Sequence, residues 1–195
     1  MLWGGGNSIF DNIKQDDLIM AFFPCTMFSG QQQLNFIGKH IAMEKWSLKQ
    51  KLEYNLKQHD KLNHYYKLIT ELVIICIDRN LKLIIENPLN INKKHYLSNY
   101  WSFQSIIKDY DRTKNGDTRI KPTQYWFLNI EPKNNYVNDK LGPVNHKTHA
   151  DSVKGIERSL IHPQYARRFI KRYIIDYDSK TEKNKSNIPT IFDYI

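Results

Sequence analysis

The chain has 195 residues, 41% of them hydrophobic and 25% charged, with a formal net charge of +9 and a pI near 9.4. These values suit one domain with a hydrophobic core, and the basic balance favours an anionic partner, nucleic acid being the commonest. Two cysteines, Cys25 and Cys76, exclude a disulfide framework and a cysteine-rich zinc site.

No basic region followed by a long apolar run opens the chain, and the apolar stretches are short and punctuated. That pattern predicts no signal peptide, no membrane span and a reducing cytoplasmic setting. Leu2 to Asn7 reads as an entry loop. Asp17 to Phe23 is a nearly continuous apolar run that stops at Pro24-Cys25-Thr26, the pattern of a strand buried on both faces in a parallel sheet. From Ser47 to Arg79, Leu48, Leu52, Leu56, Leu62, Tyr66, Ile69, Val73 and Cys76 recur at helical spacing. Ser47 and Gln50 fit a capping box at the start of this helix. Leu81 to Ile85 predicts a second buried strand, ending at Glu86-Asn87-Pro88.

Strand, long helix and strand make a βαβ unit, whose ligand crevice forms at the carboxyl ends of the strands. Both punctuation motifs lie at such ends. A short helix is predicted over 94–100, and strands over 104–108 and 124–129, the two pairing antiparallel across a polar loop. An irregular stretch over 131–157 precedes a basic helix from Pro163 to about Ile175. The expected organisation is one unit over 1–177 and a polar tail over 178–195.

Phe23-Pro24-Cys25-Thr26 resembles the Pro-Cys motif of DNA cytosine-5 methyltransferases, and Glu86-Asn87-Pro88 resembles that family's Glu-Asn motif. A closer likeness is to short methyltransferase-like proteins of bacteria and phages. It rests on Ser8-Ile9-Phe10-Asp11, Ala21 to Cys25, Ile85 to Pro88, Lys121-Pro122-Thr123 before Tyr125-Trp126-Phe127, and Arg158-Ser159 through His162 to Ala166. The resemblance implies an α/β, Rossmann-like methyltransferase fold: a mostly parallel sheet with an antiparallel strand near one edge, flanked by helices. It also implies S-adenosylmethionine as cofactor, DNA as partner, and a role such as restriction-modification.

In that chemistry a cysteine thiolate adds to carbon-6 of cytosine, which makes carbon-5 nucleophilic. The resemblance assigns the thiolate to Cys25. It assigns Glu86 to hydrogen bonding with a flipped cytosine and to stabilising the charge that develops. Phe23, Pro24, Thr26, Asn87, Pro88, Lys121, Thr123 and Arg158 are the accompanying substrate-binding candidates. Set against these roles are ordinary ones: a small buried hydrophobe at Cys25, and a strand-end acid capping a turn at Glu86. Cys76, Trp126 and Phe127 read as core. Arg167, Arg168, Lys171 and Arg172 form a basic helical face, either solvated or set against phosphates. The seven histidines show no metal spacing, so no metal is assigned.

The sequence departs from the family in three ways. Only sixteen residues precede Asp17, and Gly4-Gly5-Gly6 has no strand before it, so the S-adenosylmethionine-binding half is not found. No Gln-x-Arg-x-Arg motif is evident, nor a large target-recognition domain. The expectations are therefore a fragment, a chain completed by another polypeptide, or an inactive relative that binds DNA. An amino-methyltransferase is disfavoured, because Glu86-Asn87-Pro88-Leu89 lacks a second proline and an aromatic.

Overall fold

The computed structural model describes residues 9–30, 32–90, 95–139, 141, 148–149 and 160–177. Arg158, Ser159 and the expected tail over 178–195 lie outside the described residues. The chain divides into two compact units, one of residues 1–107 with 124–130, the other of residues 108–123 with 131–195.

The first unit is mixed α/β. Strand β1, Leu18–Phe22, pairs parallel with β2, Lys82–Pro88, in a register from Leu18↔Lys82 to Phe22↔Glu86. Between them come the five-residue helix α1, Gln32–Phe36, and the 31-residue helix α2, Leu48–Asp78. Helix α3, Tyr96–Tyr100, follows, then β3, Ile107–Asp109, and β5, Thr123–Leu128, of which Lys108, Asp109 and Thr123 count with the second unit. The open, mixed sheet runs β1-β2-β5-β3, so β5 enters out of sequence order between β2 and β3. The βαβ unit is present as expected, and β3 and β5 are neighbours as expected, although β3 is shorter than predicted.

Helix α2 begins and ends on signals written in its own residues. The Ser47 hydroxyl accepts from Gln50 N at 3.3 Å, and Gln50 Oε1 accepts from Ser47 N at 2.8 Å, which completes the capping box. At the other end Leu81 N donates to Cys76 O and Asn80 N to Ile77 O, with Asn80 at φ 51. This pair of bonds is the Schellman arrangement, with asparagine in the left-handed position usually held by glycine. It turns the chain directly into β2.

Strand β2 buries both faces. Leu83 and Ile85 join a core with Leu62, Ile69, Val73 and Trp126, while Ile84 is buried on the opposite face. Cys76 and Trp126 are core residues, as their apolar surroundings in sequence suggested.

Two expectations are corrected. Strand β1 is not buried on both faces: Leu18 to Ala21 are half-buried and Phe22 is 54% exposed. The cause is position, because among the described residues β1 stands at the edge of the sheet with a neighbour on one side only. The stripe on α2 is also displaced. Leu48, Leu52 and Leu56 are exposed, and burial starts at Gln58 and Leu62. The first turns of α2 lie against the short α1, where the Asn55 side-chain amide donates to Phe36 O at 2.6 Å, and against Trp46, whose ring meets that of Tyr54.

The second unit holds β4, Arg119–Ile120, paired parallel with β6, Thr148–His149, and helix α4, Pro163–Tyr173. Its centre is polar. The fully buried Arg112 pairs with the buried Asp117, and its guanidinium lies 4.4 Å from the centre of the Tyr165 ring. The Tyr165 hydroxyl donates to Asp109 at 3.2 Å. Among the described residues no helix is long and apolar enough to cross a membrane.

Candidate active site at the carboxyl ends of the parallel strands

The parallel register brings the two punctuation motifs to one edge of the sheet. Glu86 stands opposite Phe22, so Pro24-Cys25 leaves β1 just beyond the level of Glu86-Asn87-Pro88 on β2. Pro24, with φ −55 and ψ 108, ends the extended chain and starts a single 3₁₀ turn over Cys25–Met27. Phe28 N and Ser29 N both donate to Cys25 O, at 3.2 and 3.1 Å. Met27 and Phe28 are buried and pin this turn to the core, while Cys25 itself is half-buried. The result is a thiol on a fixed turn at a strand end.

Glu86 is only 6% exposed, the more unusual position for a carboxyl group. Asn87 is fully buried, and its Oδ1 lies 2.9 Å from Nε2 of His95, itself 1% exposed. An amide oxygen only accepts, so Nε2 of the neutral imidazole carries the proton. Burial pushes the His95 pKa down to about 4, which keeps the ring neutral at physiological pH. Pro88 is held from the neighbouring strand: the buried Gln124 donates from Nε2 to Pro88 O at 3.1 Å. Gln124 Oε1 in turn accepts from Ser98 and Ser105 at 3.1 and 3.0 Å.

The two strand ends are tied to each other through α3. Tyr96 N donates to Phe28 O at 2.8 Å, and the His95 ring sits between Phe28 and Trp126, with centroids 6.4 and 6.2 Å away. His95 and Gln124 were not among the residues singled out from sequence. Both are polar residues outside the strand-end motifs, and only the chain's return to this edge gives them a role.

Of the sequence-predicted site residues, Phe23, Pro24, Cys25, Thr26, Glu86, Asn87 and Pro88 share this edge. Thr26 is exposed, and its carbonyl accepts from Ser29 Oγ at 3.5 Å. Lys121 and Thr123 belong to the second unit. There the buried Thr123 hydroxyl donates to Lys121 O at 2.9 Å, so it is committed locally. The basic face of α4 is also partly committed: Arg168 donates to Val137 O and Asp139 O, and Lys171 pairs with Asp139 at 3.3 Å. Arg172 lies over the Tyr173 ring, and Arg167 is exposed.

The S-adenosylmethionine that the resemblance implies does not fit the described residues. Its pocket needs a strand followed by a glycine-rich turn into a helix. The described glycines, Gly30, Gly38 and Gly116, occur singly, with Gly38 and Gly116 ending helical turns. Comparison of the chain with protein-family models, with curated proteins and with solved structures finds no match in any of the three.

Proposed function

We propose that this chain is a DNA cytosine-5 methyltransferase-like protein in which Cys25 adds covalently to cytosine and Glu86 holds the base. The observation that carries the reading is the β1–β2 register, which sets a Pro-Cys turn and a buried Glu-Asn strand end side by side. The mixed character of the sheet supports it further, because the family's sheet is mostly parallel with one antiparallel strand, and here the parallel pair β1–β2 lies in a mixed sheet. This is the sense in which the fold is read as Rossmann-like.

The chemistry asked of these residues is addition and elimination. The Cys25 thiolate forms a bond to carbon-6, and the electrons of the 5,6 double bond move toward carbon-5. Glu86, bonded to the ring nitrogen or exocyclic amine, stabilises the charge that results. When carbon-5 has taken an electrophile and lost its proton, the carbon–sulfur bond breaks and the thiolate leaves. The donor pocket belongs outside the described residues, in this chain or in a partner polypeptide.

Protection of the thiol tests the reading. Duplex DNA is expected to slow alkylation of Cys25 by iodoacetamide, and the protection should fade as salt rises. The +9 charge favours a second reading, an inactive methyltransferase-like protein that binds DNA. Under that reading, DNA binds with the same salt dependence and Cys25 alkylation does not change.

A further inference from the structure

A histidine and an asparagine fully buried beside the apolar core demand a reason. His95 Nδ1 and Asn87 Nδ2 are both buried without a hydrogen-bond partner among the described residues. Each such group costs stability that an apolar side chain would not. What the pair provides is direction: Nε2 of His95 fixes the Asn87 amide, one residue beyond Glu86. The next residue, Tyr96, fixes the Phe28 carbonyl, three residues beyond Cys25. Consecutive residues thus hold the two strand ends, one by a side chain and one by the main chain.

We propose that His95 is a positioning residue for this site: its bond to Asn87, together with the Tyr96–Phe28 bond beside it, locks the Glu86 strand end and the Cys25 turn into one frame. The purpose of the brace rests on the methyltransferase reading, but its existence can be measured without DNA or a methyl donor.

The probe is iodoacetamide, with alkylation of Cys25 and Cys76 in the full chain followed separately by peptide mass mapping. Cys76 is fully buried in α2 and reports global opening. His95→Ala is expected to raise the Cys25 rate about tenfold, the effect of losing one hydrogen bond on a local opening equilibrium, while Cys76 stays slow. His95→Gln, whose amide reaches the Nε2 position, should restore a near wild-type rate. His95→Asn, whose amide does not reach it, should not. If the alanine variant fails to fold, the Gln–Asn contrast carries the test. An unchanged Cys25 rate in folded variants, a parallel rise at Cys76, or Gln no better than Asn would overturn the proposal. A failed catalytic reading would show differently: no Cys25-dependent chemistry on cytosine, with the alkylation pattern intact.

Discussion

Burial at the strand ends has a titratable signature in His95. The folded pKa is about 4 and the ordinary value is 6.5. Between those values the unfolded chain binds a proton that the folded chain does not, so stability falls as pH falls through that window. The full effect is on the order of 3 kcal/mol, and none of it is expected above about pH 7. Urea unfolding at pH 7 and pH 4.5 measures it, and His95→Gln should flatten the difference. A His95→Gln chain as pH-sensitive as wild type would place the effect in other groups. That Cys25 and Glu86 stand at neighbouring strand ends was legible in sequence, because the apolar runs stop at Pro24-Cys25 and Glu86-Asn87-Pro88. His95 and Gln124 were not, because a lone histidine before a short helix and a glutamine at a strand start carry no periodic signal. Their burial comes from contacts distant in sequence, such as Gln124 with Pro88.

At the scale of elements, α2 separates what local rules decide from what packing decides. Its N-terminal capping box and the place where it ends were legible in the sequence, whereas the left-handed turn at Asn80 is seen only in the structure. Its buried face depends on where the sheet lies, and the leucine stripe at 48, 52 and 56 is exposed. Leu62→Ala is therefore expected to lose about 2–5 kcal/mol, whereas Leu52→Ala should stay within about 0.5 kcal/mol of wild type. Ser47→Ala should cost about 1 kcal/mol through the lost capping box. Chemical denaturation of the three variants checks this order, and equal losses at Leu52 and Leu62 would contradict the observed burial. Strand β1 follows the same logic. Its apolar sequence was legible, but its half-exposure was not, because periodicity does not encode how many neighbours a strand has.

Across the whole molecule, charge and topology are the properties that bear on function. A net charge of +9 favours phosphate contacts, yet the cations of α4 are not equivalent. Arg168 holds the carbonyls of Val137 and Asp139, and Arg167 is exposed. Arg168→Ala is expected to lower stability by about 1–3 kcal/mol. Arg167→Ala should leave stability unchanged and weaken duplex binding, lowering its salt slope by about one. Thermal unfolding and salt titrations of binding separate the two, and an Arg167 variant with wild-type salt dependence would remove α4 from the binding surface. The βαβ unit was legible because its parts are consecutive. The placing of β5 beside β2 and the division into two units were not, since residues 124–130 fold with the first unit while residues on both sides of them fold with the second. No linker composition marks that exchange.

The central claim is that the Cys25 turn performs covalent chemistry on cytosine, and hydrogen exchange at cytosine carbon-5 tests it most directly. Addition of the thiolate at carbon-6 lets carbon-5 accept a deuteron from heavy water. Loss of the original proton and of the thiolate then returns cytosine with deuterium in place of hydrogen, with no methyl donor required. The expected result is exchange into DNA cytosines by the wild-type chain, its absence with Cys25→Ser, and a slower rate with Glu86→Gln. A folded, DNA-binding chain that gives no exchange, or a Cys25→Ser variant that exchanges as fast as wild type, would contradict the claim.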